Sequence, residues 1–133
     1  MIKETDLYLP VKKFFKSYGY EVKAEVKNCD IVAYRNGEDP IIIELKLNLS
    51  IFLILQGIQR RSITDQVYIA IPKHDKMSKT SIFGRKKKEI LKMCKLLGLG
   101  FLVVHLNTNI IEILGHPERY QLKKNMRLKK ELL

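Results

Sequence analysis

Apolar residues along this chain switch between a helical and a strand-like period. From Glu4 to Tyr18 they fall at Leu7, Val11, Phe14, Phe15 and Tyr18, on one side of a helix, and Gly19 follows as a stop. Pro10 lies inside that span, so the spacing predicts a helix that either begins near Leu9 or is kinked there. Tyr20 to Lys27, YEVKAEVK, alternates as a half-exposed edge strand does. CDIVAYR, NGEDP and IIIELKL then read as strand, turn and strand, with Asn36-Gly37 the strongest hairpin signal in the chain. Ser50 to Ser62 opens on an N-cap residue and carries a thick apolar face, the pattern of a helix packed on a sheet. QVYIAIP is a strand ended by Pro72, and Lys73 to Gly84 is polar and loop-like. From Arg85 to Leu97 apolar residues recur at Ile90, Leu91, Cys94 and Leu97 between lysines, which predicts another amphipathic helix stopped by Gly98. FLVVHL and IIEIL are two closing strands around Asn107 to Asn109, and a short basic helix is expected from Lys123 to Leu133.

Helices and strands interleave in the order α-β-β-β-α-β-α-β-β, which predicts an α/β fold with a mixed central sheet flanked by helices. A length of 133 residues with 46% hydrophobic content suits one domain, 1–133, with a basic C-terminal tail at about 117–133. No 18-residue apolar run could span a bilayer, and MIKETDLYLP lacks the apolar segment of a signal peptide, so a cytoplasmic protein is expected. Cys29 and Cys94 are too few for a disulfide scaffold and have no zinc-type spacing.

One strand carries more than packing. In IIIELKL, Ile41, Ile43, Leu45 and Leu47 share one face, while Ile42, Glu44 and Lys46 share the other. A charged face needs solvent or a partner, because burying an unpaired charge costs several kcal/mol or shifts its pKa until it neutralises. Asp30, 14 residues earlier, supplies a second carboxylate if the register is right. A two-residue Asn36-Gly37 loop would pair Arg35 with Glu38 and turn Asp30 to the wrong face. A three-residue loop with Gly37 left-handed, or a bulge, brings Asp30 to the face of Glu44 and Lys46. Two carboxylates at a diagonal cross-strand distance of roughly 7 to 8 Å between backbones can hold one hard cation, and Mg²⁺ fits. Lys46 then reaches the cation's water or a bound phosphate.

Charge adds a partner. Lys and Arg number 25 against 14 Asp and Glu, a net +11, for which nucleic acid is the natural counterpart; a soluble basic protein with no particular anionic ligand is the plain alternative. Lys73, Lys76, Lys79 and the run Arg85, Lys86, Lys87 and Lys88 either follow a phosphate backbone or solvate the start of a helix, and seven cations around one loop favour phosphate. His74, His105 and His116 are scattered, with His105 at the edge of the core, and no Gly-rich phosphate loop is present.

Asp30 followed by Glu44-Leu45-Lys46 at a strand end resembles the D…(D/E)xK signature of the PD-(D/E)xK nuclease superfamily, in its usual helix, three strands, helix, strand order. The wider string KETDLY, VKKFF, GYEVKAEV, CDIVA, IIIELKL, LQG and YIAIP is similar to an uncharacterised bacterial family described as PD-(D/E)xK phosphodiesterases. The resemblance implies Mg²⁺-dependent hydrolysis of phosphodiester bonds, with Mn²⁺ as substitute, in DNA ahead of RNA. Asp30 and Glu44 become metal ligands, Lys46 assists the water, and Gln56 matches a glutamine that many members place near the site. Glu4 matches an acidic residue of resolvase-like members and is a further candidate ligand. Arg60, one turn after Gln56, could contact phosphate. Cys29 replaces the proline of the signature. Each residue also has a structural reading: Asp30 in an exposed turn, Glu44 and Lys46 as a paired edge-strand couple, Gln56 merely solvated, Glu4 favoured by the helix dipole, Glu25 a ligand or plain surface. Two other classes compete with the enzyme, namely a basic nucleic-acid-binding module of nuclease fold without turnover, and a structural protein reusing the fold. A homodimer is compatible with all three.

Overall fold

A computed structural model of the chain describes residues 2–26, 29–73, 81–118 and 124–133, with only the backbone for Val26 and Cys29. His74, Lys76 and Lys79 of the basic loop lie outside the described residues. The elements are α1 (Thr5–Ser17), β1 (Glu21–Val26), β2 (Cys29–Tyr34), β3 (Ile41–Leu45), α2 (Ile51–Arg60), β4 (Val67–Lys73), α3 (Ile82–Leu96), β5 (Gly100–His105), β6 (Ile110–Gly115) and α4 (Met126–Leu132).

The strands form one six-stranded sheet whose spatial order is its sequence order, β1 to β6. β3–β4 and β4–β5 are parallel, and the other pairs are antiparallel. α2 and α3 are the two parallel crossovers. Both step the same way across the sheet, so a common hand of crossover puts both on one face. There Leu53 and Ile54 of α2 and Phe83, Ile90 and Cys94 of α3 bury Ile42, Val67, Ile69, Ile71, Phe101 and Val103. α1 covers the opposite face, with Leu7, Val11 and Phe15 over Ile31, Ala33, Ile41, Ile43 and Leu45. This is the mixed α/β sheet with helices on both faces that the periodicity predicts.

Several boundaries depart from the sequence reading. α1 runs from Thr5 to Ser17, inside the expected span of Glu4 to Tyr18, and passes through Pro10, so of the two readings at the proline the late start near Leu9 is excluded. Pro10 lacks one backbone donor, and the buried stripe of Leu7, Pro10, Val11 and Phe15 offsets that loss. β4 continues one residue past Pro72 to Lys73, which is therefore strand and not loop. β3 has ended by that level, its last pair being Leu45 with Ala70, so Pro72 faces a paired strand on one side only. α3 opens at Ile82, where the Ser81 side chain accepts a hydrogen bond from the Gly84 N–H and caps a first turn, and the backbone kinks at Lys86 (φ −125°, ψ 31°), next to the start expected at Arg85.

The β2–β3 connection is longer than the three residues predicted. The pairs Ile31–Ile43, Val32–Ile42 and Ala33–Ile41, extended one step at each end, set Tyr34 opposite Pro40 and Asp30 opposite Glu44, with no bulge between. Pro40 has no N–H to donate, so the ladder opens only at Ile41. The five residues before it are held by Arg35, whose guanidinium donates to both Glu38 oxygens at 2.7 and 2.9 Å and to the Tyr18 carbonyl at 2.8 Å. Gly37 sits at φ 80° as predicted, and the odd loop keeps the expected parity.

A candidate metal and phosphate site at the carboxyl edge of the sheet

β3, β4 and β5 point their C-terminal ends to one edge of the sheet. β2, being antiparallel, begins there and β1 ends there. In open α/β sheets ligands bind outside the carboxyl ends of the parallel strands, although here the strand order never reverses and gives no topological switch point. Glu25, Asp30 and Glu44 occupy successive register positions along it on β1, β2 and β3.

Asp30 and Glu44 face one another through reciprocal bonds. The Leu45 N–H donates to Asp30 Oδ2 at 2.8 Å, and the Asp30 N–H donates to Glu44 Oε2 at 3.3 Å. Glu44 is fully buried within an otherwise aliphatic strand. Its other oxygen, Oε1, accepts from the Arg60 Nε on α2. Burial pushes the Glu44 carboxyl above the ordinary glutamate value, the Arg60 guanidinium pulls it back, and the Asp30 carboxylate pushes it up again.

Lys46 lies beyond the end of β3, and its amide continues the ladder to the Ala70 carbonyl at 3.1 Å. Its ammonium stands 3.8 Å from Glu4 Oε1, just ahead of α1. Both are part-exposed, so this pair contributes little to stability. Glu4, Thr5, Tyr8, Ala24, Glu25, Asp30 and Leu45 line a cleft of about 220 Å³. Glu25 adopts φ 51°, a left-handed conformation that a non-glycine residue holds at some cost and that recurs at functional sites. Thr5 and Tyr8 were not among the sequence candidates, although Tyr8 stands one helical turn from Glu4.

The donor set suits a hydrated hard cation. Two carboxylates and no third are drawn together: among the described residues no group of three or more His, Cys, Asp and Glu could hold a metal ion. Zinc sites take three or four such ligands, whereas Mg²⁺ is commonly held by one or two carboxylates and keeps several waters. Gln56, one turn before Arg60 on α2, has a buried Oε1 without a hydrogen-bond donor among the described residues, which an ordered water would satisfy.

The remaining candidates lie further along the same edge. Lys73 pairs with His105 across β4 and β5, and His105 Nε2 is 2.8 Å from Glu112 Oε1 on β6. Lys87, at the start of α3, lies close enough to help hold the Glu112 carboxyl below its usual value, after His105 itself. Arg85, Lys86, Lys87 and Lys88 are all exposed. Lys73 ends β4, one strand spacing of about 5 Å from β3, and the four other cations lie in α3, the crossover from β4 to β5. Arg60, expected on phosphate, is the cation bound to Glu44.

No protein-family model matches the chain, and neither does any curated protein sequence. Solved structures do match it. An XisH family protein from Nostoc punctiforme superposes with a TM-score of 0.54 at 17% identity, covering 85% of this chain and 99% of that one. An fdxN element excision controlling factor protein from Anabaena variabilis gives a TM-score of 0.53 at 20% identity over 86% and 99% of the two chains. At such identities the likeness establishes the fold: this chain has the α/β architecture of the XisH family structures.

Proposed function

We propose that the protein is a metal-dependent phosphodiesterase of PD-(D/E)xK type acting on DNA. The observation that supports this most is the opposition of Asp30 and Glu44 at the carboxyl edge, with Lys46 two residues beyond Glu44 and its ammonium 3.8 Å from Glu4, which lines the cleft beside Asp30. Asp30 and Glu44 would hold Mg²⁺ or Mn²⁺, with Glu4 and Glu25 further carboxylates lining the cleft beside Asp30. When bound, such a cation supplies water of lowered pKa and offsets charge on the phosphate. Lys46 orients the attacking water and donates to the phosphate, and Gln56 accepts from ordered water beside Arg60. The exposed cations of β4 and α3 hold the substrate backbone. A neighbour of this fold named as an excision controlling factor is in keeping with a DNA substrate.

A second reading is supported by one observation. Glu44 has both oxygens engaged, by Arg60 and by the Asp30 amide, as in a site that binds nucleic acid without turnover. Incubation with linear, nicked and branched DNA in Mg²⁺ or Mn²⁺ separates the two. We expect cleavage that chelation abolishes, and that Asp30→Asn and Lys46→Ala each lower about 100-fold or more with DNA affinity retained. Binding without cleavage in every metal would leave the module standing and the enzyme refuted.

A further inference from the structure

The outward face of α2 is apolar. Ile51 is 62% exposed, Phe52 72%, Leu55 47% and Ile58 40%, and Ile63 just past the helix 58%. Ile51, Leu55 and Ile58 follow i, i+4, i+7 spacing, so they form one stripe, with Phe52 on its flank. Their opposite numbers Leu53, Ile54 and Gly57 are buried on the sheet. The whole stretch from Leu47 to Gln59 carries no charged residue, in a chain that is 29% charged with a net +11.

We infer that this stripe is the contact between two copies of the chain, paired α2 against α2 about a twofold axis near Leu55. Charge argues for a second copy over a different protein. A partner selected to bind this strongly basic chain would meet it with acidic groups, and the stripe offers none of them a cation. Two copies repel over most of their surface, and here they can touch without that penalty. The arginines closing the helix are turned inward, Arg60 to Glu44 and Arg61 to the Leu97 carbonyl and Asp65. Antiparallel pairing also makes the stripe self-complementary, because Ile51 of one copy lies across from Ile58 of the other. With about 200 Å² for each extended side chain of this size, the exposed fractions leave roughly 550 Å² per copy. A pair then buries about 1,100 Å², just past the roughly 1,000 Å² that a specific interface must reach and at the small end of the range, where association is weak and reversible.

The inference does not rest on the chemistry proposed above, and its test reads mass, not activity. In sedimentation velocity with light scattering, wild type should move from the 15.6 kDa monomer to twice that mass as concentration rises to about 100 μM. Leu55→Lys and Phe52→Lys should remain monomeric with unchanged circular dichroism, while Leu96→Lys, on the exposed face of α3, should still dimerise. Should a lysine variant fail to fold, Leu55→Cys provides the second arm: a cysteine near the twofold axis should form an inter-chain disulfide under mild oxidation, and Leu96→Cys should not. Wild type that stays monomeric throughout, a dimer indifferent to both α2 lysines, or a monomer whose α2 is covered only by another protein would each overturn the proposal.

Discussion

Arg60 and Glu44 form a buried pair whose partners are unequal. Glu44 is wholly removed from solvent and could not stay ionised alone, whereas Arg60 keeps 16% of its side chain exposed. Deleting the arginine should therefore cost far more than an exposed pair would suggest. We expect Arg60→Met to lower unfolding free energy by about 3–5 kcal/mol near neutral pH, the usual result of leaving one buried charge unpaired. The sign of the pH dependence follows from the raised carboxyl. A group that binds its proton more tightly folded than unfolded contributes most at acid pH, and that contribution is lost as pH rises through the native value. Without Arg60 the native value climbs further, so the deficit should shrink steadily as urea unfolding is repeated from about pH 7.5 down to about pH 5. An equal deficit across that range would mean that the methionine disturbs packing and not charge.

At the scale of elements, α2 is fitted closely to the sheet at Gly57. A Cβ on Gly57 would lie 3.1 Å from Ile69 Cγ2 and 3.1 Å from Leu99 Cδ2, and both neighbours are buried. Alanine would gain about 1 kcal/mol of helix propensity but overpack a stiff site by about 1–3 kcal/mol. Gly57→Ala should therefore lower the thermal midpoint, and a raised midpoint would show that α2 can lift from the strand. This glycine illustrates what the sequence could and could not reveal. Period-two alternation in IIIELKL and period 3.6 in the helices are local, so element order and both core faces were legible, while the parity of Asp30 with Glu44 followed only from requiring the charged face to be a site. Loop length was not, because it depends on Arg35 reaching Glu38 and Tyr18 across space and on Pro40 withholding a donor. The partner of Arg60 was hidden for the same reason: spacing showed a cation one turn from Gln56, and only the packing of α2 on β3 turned it toward a carboxylate instead of solvent.

For the whole molecule, the consequential feature is that strands adjacent in space are adjacent in the chain from β1 to β6. Each strand completes its pairing with the segment that comes next, so every closure spans one hairpin or one crossover, and closure entropy grows only slowly with length. The β1–β2–β3 meander can form first, setting Asp30 beside Glu44 before either crossover is in place. α2 and α3 then add β4 and β5 in turn. Among the described residues no strand waits for a distant partner, and none is inserted between two already paired. Stopped-flow refolding should accordingly show its main phase in the range of mixed α/β domains, milliseconds to about a second. Val32→Ala should slow that phase, while Ile111→Ala in the last strand should chiefly speed unfolding. A chain laid down in spatial order is also one that a ribosome can fold as it emerges, with the carboxylate pair assembled well before the last strand has left the tunnel.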